Sequence, residues 1–175
     1  MDNIERERVY LLKQIPPDIA QHKQIKIIVG DLSDSNDFDL LKVRQKGDHY
    51  ELIKKEFIGP GETKENVIHI NETEFNNILR SAVRRHAKIR VFYPLDKYLC
   101  EIDFYQDELN GYVRAEVEFE NNEDYQSFVA PDWFGQEISK INHDLHEGLG
   151  TINLVDMTDR LKQKGIELIP LFLDN

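Results

Sequence analysis

The sequence has only one cysteine and no excess of positive charge. Cys100 alone cannot form an internal disulfide or a thiolate zinc cluster, and its flanks Leu99, Glu101 and Ile102 predict a buried strand position. The formal net charge of −11 argues against a general nucleic-acid binder. If the chain nevertheless binds anions, its basic residues must be gathered in one place.

Long apolar runs are also missing. No segment approaches the length of a membrane span, and the start, MDNIERERVYLL, lacks the pattern of a secretory signal. We therefore expect a cytoplasmic protein without a membrane partner. A length of 175 residues, of which 31% are charged and 40% hydrophobic, predicts one globular domain over 1–175.

Strand-like segments recur through most of the chain. The predicted strands cover residues 3–12, 24–30, 39–47, 49–57, 64–70, 86–94, 97–107 and 111–120. Short turns join several of them, at Lys46-Gly47-Asp48, at 94–97 and at Asn110-Gly111. Eight antiparallel strands with peripheral helices predict a closed β-barrel in a mainly β, α+β fold, because closure removes the exposed edges.

Helices punctuate this pattern. Pro16-Pro17-Asp18 is predicted to open a short helix, and Asn71 to cap a second helix that runs through Leu79. A third helix is predicted after Asn121-Asn122. The last is predicted at about 154–164, where Gly165 ends it. Apolar residues in the tail, 150–175, indicate that it packs on the barrel or on a second copy of the chain in a homodimer. His143 and His146 are expected on a solvated helix rather than in a zinc site.

Charged residues alternate with apolar ones along five of the strands. Successive side chains of a strand point to opposite faces, so charges at i and i+2 share one face. The five pairs are Glu5 and Glu7, Lys42 and Arg44, Lys88 and Arg90, Glu101 and Asp103, and Glu116 and Glu118. Each pair has a single sign, whereas solvated faces usually mix signs. The pattern therefore predicts a charged barrel interior that binds a hard divalent metal through carboxylates and a polyphosphate through Lys and Arg.

Several of these segments resemble the CYTH domains, also called triphosphate tunnel metalloenzymes. The run from Ile4 to Leu11 resembles their opening Glu-x-Glu-x-Lys signature, and LLKVRQKGDHYELIKK resembles their basic strand pair. The stretch from Lys88 to Ser139 is similar to the second half of the family, so the resemblance runs from about residue 4 to 140. It implies an eight-stranded tunnel that uses Mg²⁺ or Mn²⁺ and a small-molecule triphosphate.

The resemblance also implies roles for individual residues. Metal ligands would be Glu5, Glu7 and Glu118, with Glu116 beside them. Phosphate-binding residues would be Lys42, Arg44, Lys55, Lys88 and Arg90. Within these sets Glu5, Glu7, Lys55 and Lys88 are the predicted catalytic residues. Glu65 and Asp103 fall at acidic tunnel positions, where they would orient basic neighbours or water.

The sequence departs from the family pattern at four places. The signature lysine is Val9, which cannot contact a phosphate, and the first basic residue of the strand pair is Lys42 rather than arginine. A usual threonine is Ile53. Where many members carry an arginine in the fifth strand, this chain reads Gly61-Glu62-Thr63-Lys64, and Lys64 is the candidate substitute.

Three functions remain open from the sequence. The first is metal-dependent hydrolysis of inorganic, nucleoside or thiamine triphosphate, in which a positioned water attacks in line and phosphate or pyrophosphate leaves. The second is an adenylate cyclase on the same scaffold, although no segment specifies adenine. The third is a binding module that keeps the polyphosphate site but turns over poorly, which the loss of lysine at Val9 favours.

Overall fold

The computed structural model describes residues 4–33, 39–59, 62–146 and 148–173, except for the side chains of Asp39 and His143. Its strands are β1 (Ile4–Leu12), β2 (Gln24–Asp31), β3 (Asp39–Lys46), β4 (His49–Gly59), β5 (Glu62–Ile70), β6 (Arg84–Leu95), β7 (Tyr98–Tyr105), β8 (Val113–Glu118) and β9 (Phe134–Glu137). Its helices are α1 (Glu72–Leu79), α2 (Asn122–Ser127), α3 (Asn142–His146) and α4 (Leu154–Gln163), with 3₁₀ turns at Ile19–Gln21, Asp107–Leu109 and Ser139–Ile141. No helix within these ranges is both long and apolar enough to cross a membrane.

The first eight strands form the predicted closed antiparallel barrel. They follow the order β5-β4-β3-β2-β6-β7-β8-β1, and pairing of β1 with β5 closes the circle. β5 contacts only the first three residues of β1, Ile4 to Arg6. The remaining edge of β1 is covered by the short strand β9, which pairs through Tyr10 and Leu12 and was not predicted from the sequence.

The residues predicted to begin or end three of the helices, Asn71, Asn121 and Gly165, have these roles in the structure. Asn71 and Glu74 form a reciprocal capping box at the start of α1. Asn121 caps α2 by accepting from the backbone N–H of Asp124. After α4 the chain turns at Gly165, whose φ of +75° lies in the left-handed region that glycine adopts readily.

The apolar faces of the strands point outward from the barrel. On β7 and β8 they bear residues such as Cys100, Ile102 and Val117, which are fully buried. Helix α2, the segment before β9 and the end of the tail cover this face, through residues that include Phe128, Trp133 and Leu171. The hydrophobic core therefore lies outside the barrel wall, which leaves the interior free for charged residues.

A second apolar cluster covers one end of the barrel, which we call the closed end. There Val9 and Leu11 of β1 pack with Leu149, with Met157 of α4 and with residues of the tail. The turn after α3 approaches the start of β6 so closely that a Cβ on Gly150 would lie 2.3 Å from the carbonyl oxygen of Arg85.

The tail packs on its own chain. Ile166 and Leu168 are buried in the apolar cluster at the closed end, and the backbone N–H of Leu171 donates to the carbonyl of Gly111. Ile169 and Phe172 stay exposed. A homodimer formed through these residues remains a prediction.

Candidate functional site

The barrel interior holds one continuous cavity of about 220 Å³. Its wall includes seven basic residues, Lys42, Arg44, Lys46, Lys55, Lys88, Arg90 and Arg114, and six acidic ones, Glu5, Glu7, Glu65, Glu101, Glu116 and Glu118. The whole chain has 22 basic and 33 acidic residues. Basic residues are thus concentrated in the cavity, as the sequence requires if an acidic protein is to bind an anion.

The structure brings the predicted site residues together. Every residue predicted as a metal ligand or as a phosphate-binding group lines this cavity, and so does Glu65. Asp103 shares the inward face of β7 with Glu101 and Tyr105, and it is fully buried against Lys88 and Arg90, which it contacts. The charged face of each strand therefore points inward, as the single-sign pairs indicate.

Carboxylates crowd the end of the cavity opposite the closed end, which we call the mouth. Glu7 of β1 is paired in register with Glu118 of β8, and Glu118 is exposed. Burial and then the charges of Glu101 and Glu7 raise the pKa of Glu118. Like charges at the mouth thus repel one another, and a bound cation would relieve that repulsion.

Glu5 shares this crowding. Burial and a side-chain hydrogen bond with Glu65 raise the pKa of Glu5 to about 7. The ammonium group of Lys55 lies 3.4 Å from Glu5 and 3.8 Å from Glu7, and it offsets part of the repulsion. Burial opposes the charge of Lys55, but Glu7 and Glu5 outweigh it and raise the lysine pKa.

This donor set fits a hard divalent cation by its chemistry, since Mg²⁺ and Mn²⁺ prefer carboxylate oxygens. Within the described residues, however, no three His, Cys, Asp or Glu side chains already converge in metal-binding geometry. Glu5, Glu7 and Glu118 keep oxygen atoms available to a metal, whereas Glu116 accepts from the guanidinium groups of Arg90 and Arg114. Glu116 is therefore better placed to position arginines than to bind a metal.

A clamp of ion pairs occupies the middle of the cavity. Arg90 donates to both oxygens of Asp103 at 2.6 and 2.7 Å and to Glu116 at 2.7 Å, and it also contacts Glu101. Lys88 donates to Asp103. Burial opposes the charge of Arg90, but the three carboxylates raise its pKa. Breaking such a buried pair is strongly unfavourable, so this clamp fixes the position of the two cations.

The other basic wall is held less tightly. Arg44 donates to Glu51 at 2.8 Å and lies 3.7 Å from Glu65. Lys42 makes no ion pair with any described residue, and burial together with the charge of Lys55 lowers its pKa to about 8. An anion entering the cavity would stabilise the charged form of Lys42.

The structure locates the departures from the family pattern. Val9 is buried at the closed end and its backbone N–H donates to Ser139 Oγ at 2.9 Å. Ile53 is buried opposite Lys42. Lys64 alternates with Thr63 and Glu65, which line the cavity, so it faces outward and the proposed substitution of Lys64 for an arginine is wrong. Gly61 lies outside the described residues.

Sequence reasoning missed Arg114, Tyr105 and Asn142 as cavity residues. Extending the alternation on β8 by one step would have found Arg114, because it shares the inward face of Glu116 and Glu118. Asn142 lies on α3, and its contact with Arg114 depends on how the chain after β9 folds back. No short-range pattern carries that information.

The expectation for His146 was also wrong. His146 lines the cavity at the closed end, where its Nε2 lies 3.5 Å from Asp31 and its ring lies near His86. Arg84 donates to the same Asp31 at 3.2 Å. The side chain of His143 lies outside the described residues, so the pairing of the two histidines stays untested.

Comparison with known proteins agrees with this geometry. No family model matches the chain. The chain is 30% identical over 138 residues to an inorganic triphosphatase of Nitrosomonas europaea, covering 78% of this chain and 89% of that protein.

Solved structures give the same result. A crystal structure of an inorganic triphosphatase superposes with a TM-score of 0.58 at 28% identity, covering 78% of this chain and 87% of that one. A candidate adenylate cyclase of Bacillus halodurans has a TM-score of 0.51 at 14% identity, covering 99% and 96% of the two chains, which shows a shared fold alone. The chain belongs to the CYTH, or triphosphate tunnel metalloenzyme, superfamily.

Proposed function

We propose that this protein hydrolyses a triphosphate with the help of Mg²⁺ or Mn²⁺, and that inorganic triphosphate is its main substrate. The observation that carries the proposal is the arrangement of the cavity, in which carboxylates crowd the mouth while seven cations line the wall. The similarity to an inorganic triphosphatase supports the same reaction class.

The phosphate chain would bind along the two basic walls. Lys42 and Arg44 of β3 lie on one side and Lys88 and Arg90 of β6 on the other, because β2, whose inward residues here are apolar, separates the two strands. Lys42 makes no ion pair with the described part of the chain and is the cation most ready to receive a phosphate oxygen. Lys55 would neutralise the phosphate nearest the mouth.

Glu5, Glu7 and Glu118 would hold the divalent cation at the mouth. When bound, such a cation neutralises phosphate oxygens and lowers the barrier to attack by water. The reaction adds a water oxygen to one phosphorus, breaks one P–O–P bond and converts inorganic triphosphate into phosphate and pyrophosphate. Most of the catalytic effect would come from preorganised charges, and Asp103 and Glu116 contribute by fixing Lys88 and Arg90.

The composition of the wall favours inorganic triphosphate over a nucleotide. Among the described wall residues, Phe57 and Tyr105 are the aromatic residues besides the histidines, and Tyr105 lies at the closed end among charged groups. A purine would need a broader apolar or aromatic surface. Adenylate cyclase activity and binding without turnover are the alternative outcomes of the test.

The test is phosphate release by the purified protein from inorganic triphosphate, ATP and thiamine triphosphate, each with Mg²⁺, Mn²⁺ or EDTA. Formation of cyclic AMP is measured in the ATP samples. Fastest release from inorganic triphosphate, stopped by EDTA, supports the proposal. No release under any condition, with intact triphosphate binding, favours a binding module instead, and cyclic AMP as the main product favours a cyclase.

A further inference from the structure

Buried polar atoms without partners are concentrated at the closed end of the cavity. Among the described residues, the buried side-chain atoms that lack a hydrogen-bond partner include His86 Nδ1, Tyr105 OH and Arg114 Nε. All three residues line the same part of the cavity. Native proteins rarely leave such atoms unsatisfied, so a cluster of them indicates a place where water or a ligand binds.

Arg114 is held in a fixed orientation by its other nitrogen atoms. One terminal nitrogen donates to Asn142 Oδ1 at 2.6 Å and the other donates to Glu116 Oε1 at 2.7 Å. The guanidinium group also lies over the ring of Tyr105, 5.4 Å from its centroid. The Nε–H, which can only donate, is thus left for an acceptor that the protein itself does not provide.

The groups around Arg114 are also suited to an acceptor ligand. The hydroxyl of Tyr105 can donate a hydrogen bond, and a ring nitrogen of His86 can donate when it is protonated. Burial lowers the pKa of His86, and the charge of His146 adds to this effect while the charge of Asp31 opposes it. A phosphoryl group supplies three oxygen acceptors and negative charge together, which water does not.

The pairing of β1 with β8 relates Arg114 to the departure at Val9. Val9 stands directly opposite Glu116, and Arg114 is the next residue of β8 on the inward face. Arg114 therefore places a positive charge beside the position where Val9 provides none. Its charge reaches Glu116, the same carboxylate that a basic residue at position 9 would face.

We propose that the closed end of the cavity is a pocket for a terminal phosphoryl group, bound by Arg114, Tyr105 and His86. The proposal rests on the triphosphatase function above and specifies where one end of the substrate lies. Because residues of α3 and Leu149 cover this end, a linear triphosphate enters from the mouth with its terminal phosphate foremost.

The test is calorimetric titration of the protein with inorganic phosphate in the presence of EDTA, so that no metal takes part. The variants are Arg114→Gln and His86→Val. Arg85→Gln is the matched control, because Arg85 is exposed, neighbours His86 and faces the opposite side of β6. Each variant is first checked for an unchanged circular dichroism spectrum, and Arg114→Lys replaces Arg114→Gln if the latter does not fold.

We expect inorganic phosphate to bind the wild type and Arg85→Gln equally, and to bind Arg114→Gln at least about tenfold more weakly, since charged hydrogen bonds are worth that much. KM for triphosphate should rise in Arg114→Gln and His86→Val more than kcat falls. Failure of the wild type to bind inorganic phosphate, or equal binding by all four proteins, would overturn the pocket.

These results separate the pocket from the proposed function. Phosphate binding that depends on Arg114, in a protein that hydrolyses no triphosphate, supports the pocket and contradicts the triphosphatase. Metal-dependent hydrolysis that is unchanged in Arg114→Gln and His86→Val contradicts the pocket and leaves the triphosphatase standing.

Discussion

The mouth and the closed end of the cavity solve opposite electrostatic problems. At the mouth, Glu5, Glu7 and Glu118 are partly exposed carboxylates, and Lys55 and the charge of Arg90 offset part of their mutual repulsion. At the closed end, Arg114 is 4% exposed and each of its terminal nitrogens has a fixed partner. The mouth therefore suits the cation that we propose there, whereas the closed end suits the proposed anion.

The largest expected effect comes from removing one charge at the mouth. Glu7→Gln keeps the shape of the side chain but loses the charge that a hard cation needs, so kcat/KM for triphosphate should fall by roughly 100-fold or more. Steady-state kinetics over a range of Mg²⁺ concentrations measures it. The exposed Glu120→Gln is the control and should match the wild type. Unchanged kinetics in Glu7→Gln would remove the metal from the mouth.

The clamp between the two ends should respond in stability. Asp103→Asn leaves Lys88 and Arg90 buried without their shared carboxylate, so the free energy of unfolding should fall by about 3–5 kcal/mol. Urea denaturation measures this loss, with the exposed Asp132→Asn as control. A loss no larger than that of the control would mean that the remaining carboxylates, Glu101 and Glu116, hold both cations by themselves.

At the closed end, Asp31 gives a prediction with a defined pH dependence. Burial alone would raise its pKa, but His146, His86 and Arg84 lower it to about 2. Because the pKa is lower in the folded state than in the unfolded state, ionised Asp31 stabilises the fold at pH values above the unfolded pKa near 3.8. This contribution is lost as the pH falls toward the folded pKa of about 2. Asp31→Asn should therefore lower the free energy of unfolding at pH 7 by about 2 kcal/mol.

The difference in the free energy of unfolding between the wild type and Asp31→Asn should narrow as the pH falls from about 4 to 2. Urea denaturation at several pH values measures it, and the exposed Asp159→Asn should show no gap. A gap that stays constant down to pH 2 would mean that the effect comes from packing rather than from the charge of Asp31.

Alanine substitution at two glycines distinguishes the cost of a left-handed backbone from the cost of a steric clash at the turn that covers the closed end. Gly150 and Gly165 have φ values of +77° and +75°, but only Gly150 has neighbours within 4 Å of an added Cβ. Gly165→Ala should lower the free energy of unfolding by about 1–2 kcal/mol, the cost of the left-handed conformation. Gly150→Ala should lower it further and also weaken binding of inorganic phosphate. Equal losses would show that the turn shifts without strain.

The smallest expected effect tests whether the positive charge of Arg114 compensates for the lysine charge that is missing at Val9. In the Arg114→Gln background, Val9→Lys should recover a few-fold in affinity for triphosphate, because it returns a cation to the position opposite Glu116. Calorimetric titration in EDTA measures it, with Val9→Met as the uncharged control. Recovery by both variants would assign the effect to packing.

The sequence predicted the wall of the site better than its closed end. Pairs such as Lys88 and Arg90 lie on one strand, where alternation fixes their direction, so eight strand ranges and the inward charges could be read from local pattern. β9 could not, because it exists only where β5 leaves part of the β1 edge unpaired. The burial of His146 likewise depends on where α3 settles, which involves residues distant in sequence.

Roles within the cavity were also beyond local pattern. Alternation places Glu116 and Glu118 on the same face of β8. Glu116 accepts hydrogen bonds from two arginines, whereas Glu118 accepts none from the side chains of the described residues. The difference arises from the register of β6, β7 and β8, which aligns Arg90 with Asp103 and Arg114. This row lies one inward-facing position from Glu116 and two from Glu118. Cross-strand register therefore separates positioning carboxylates from those available to a metal.

The most direct test of the account is the affinity of the wild type for inorganic triphosphate with and without Mg²⁺, measured together with phosphate release. We predict binding in EDTA, because the closed end and the basic walls do not need the metal. We predict tighter binding with Mg²⁺ and phosphate release only when the metal is present. Equal affinity and equal release in EDTA and Mg²⁺ would contradict the assignment of the mouth to a cation.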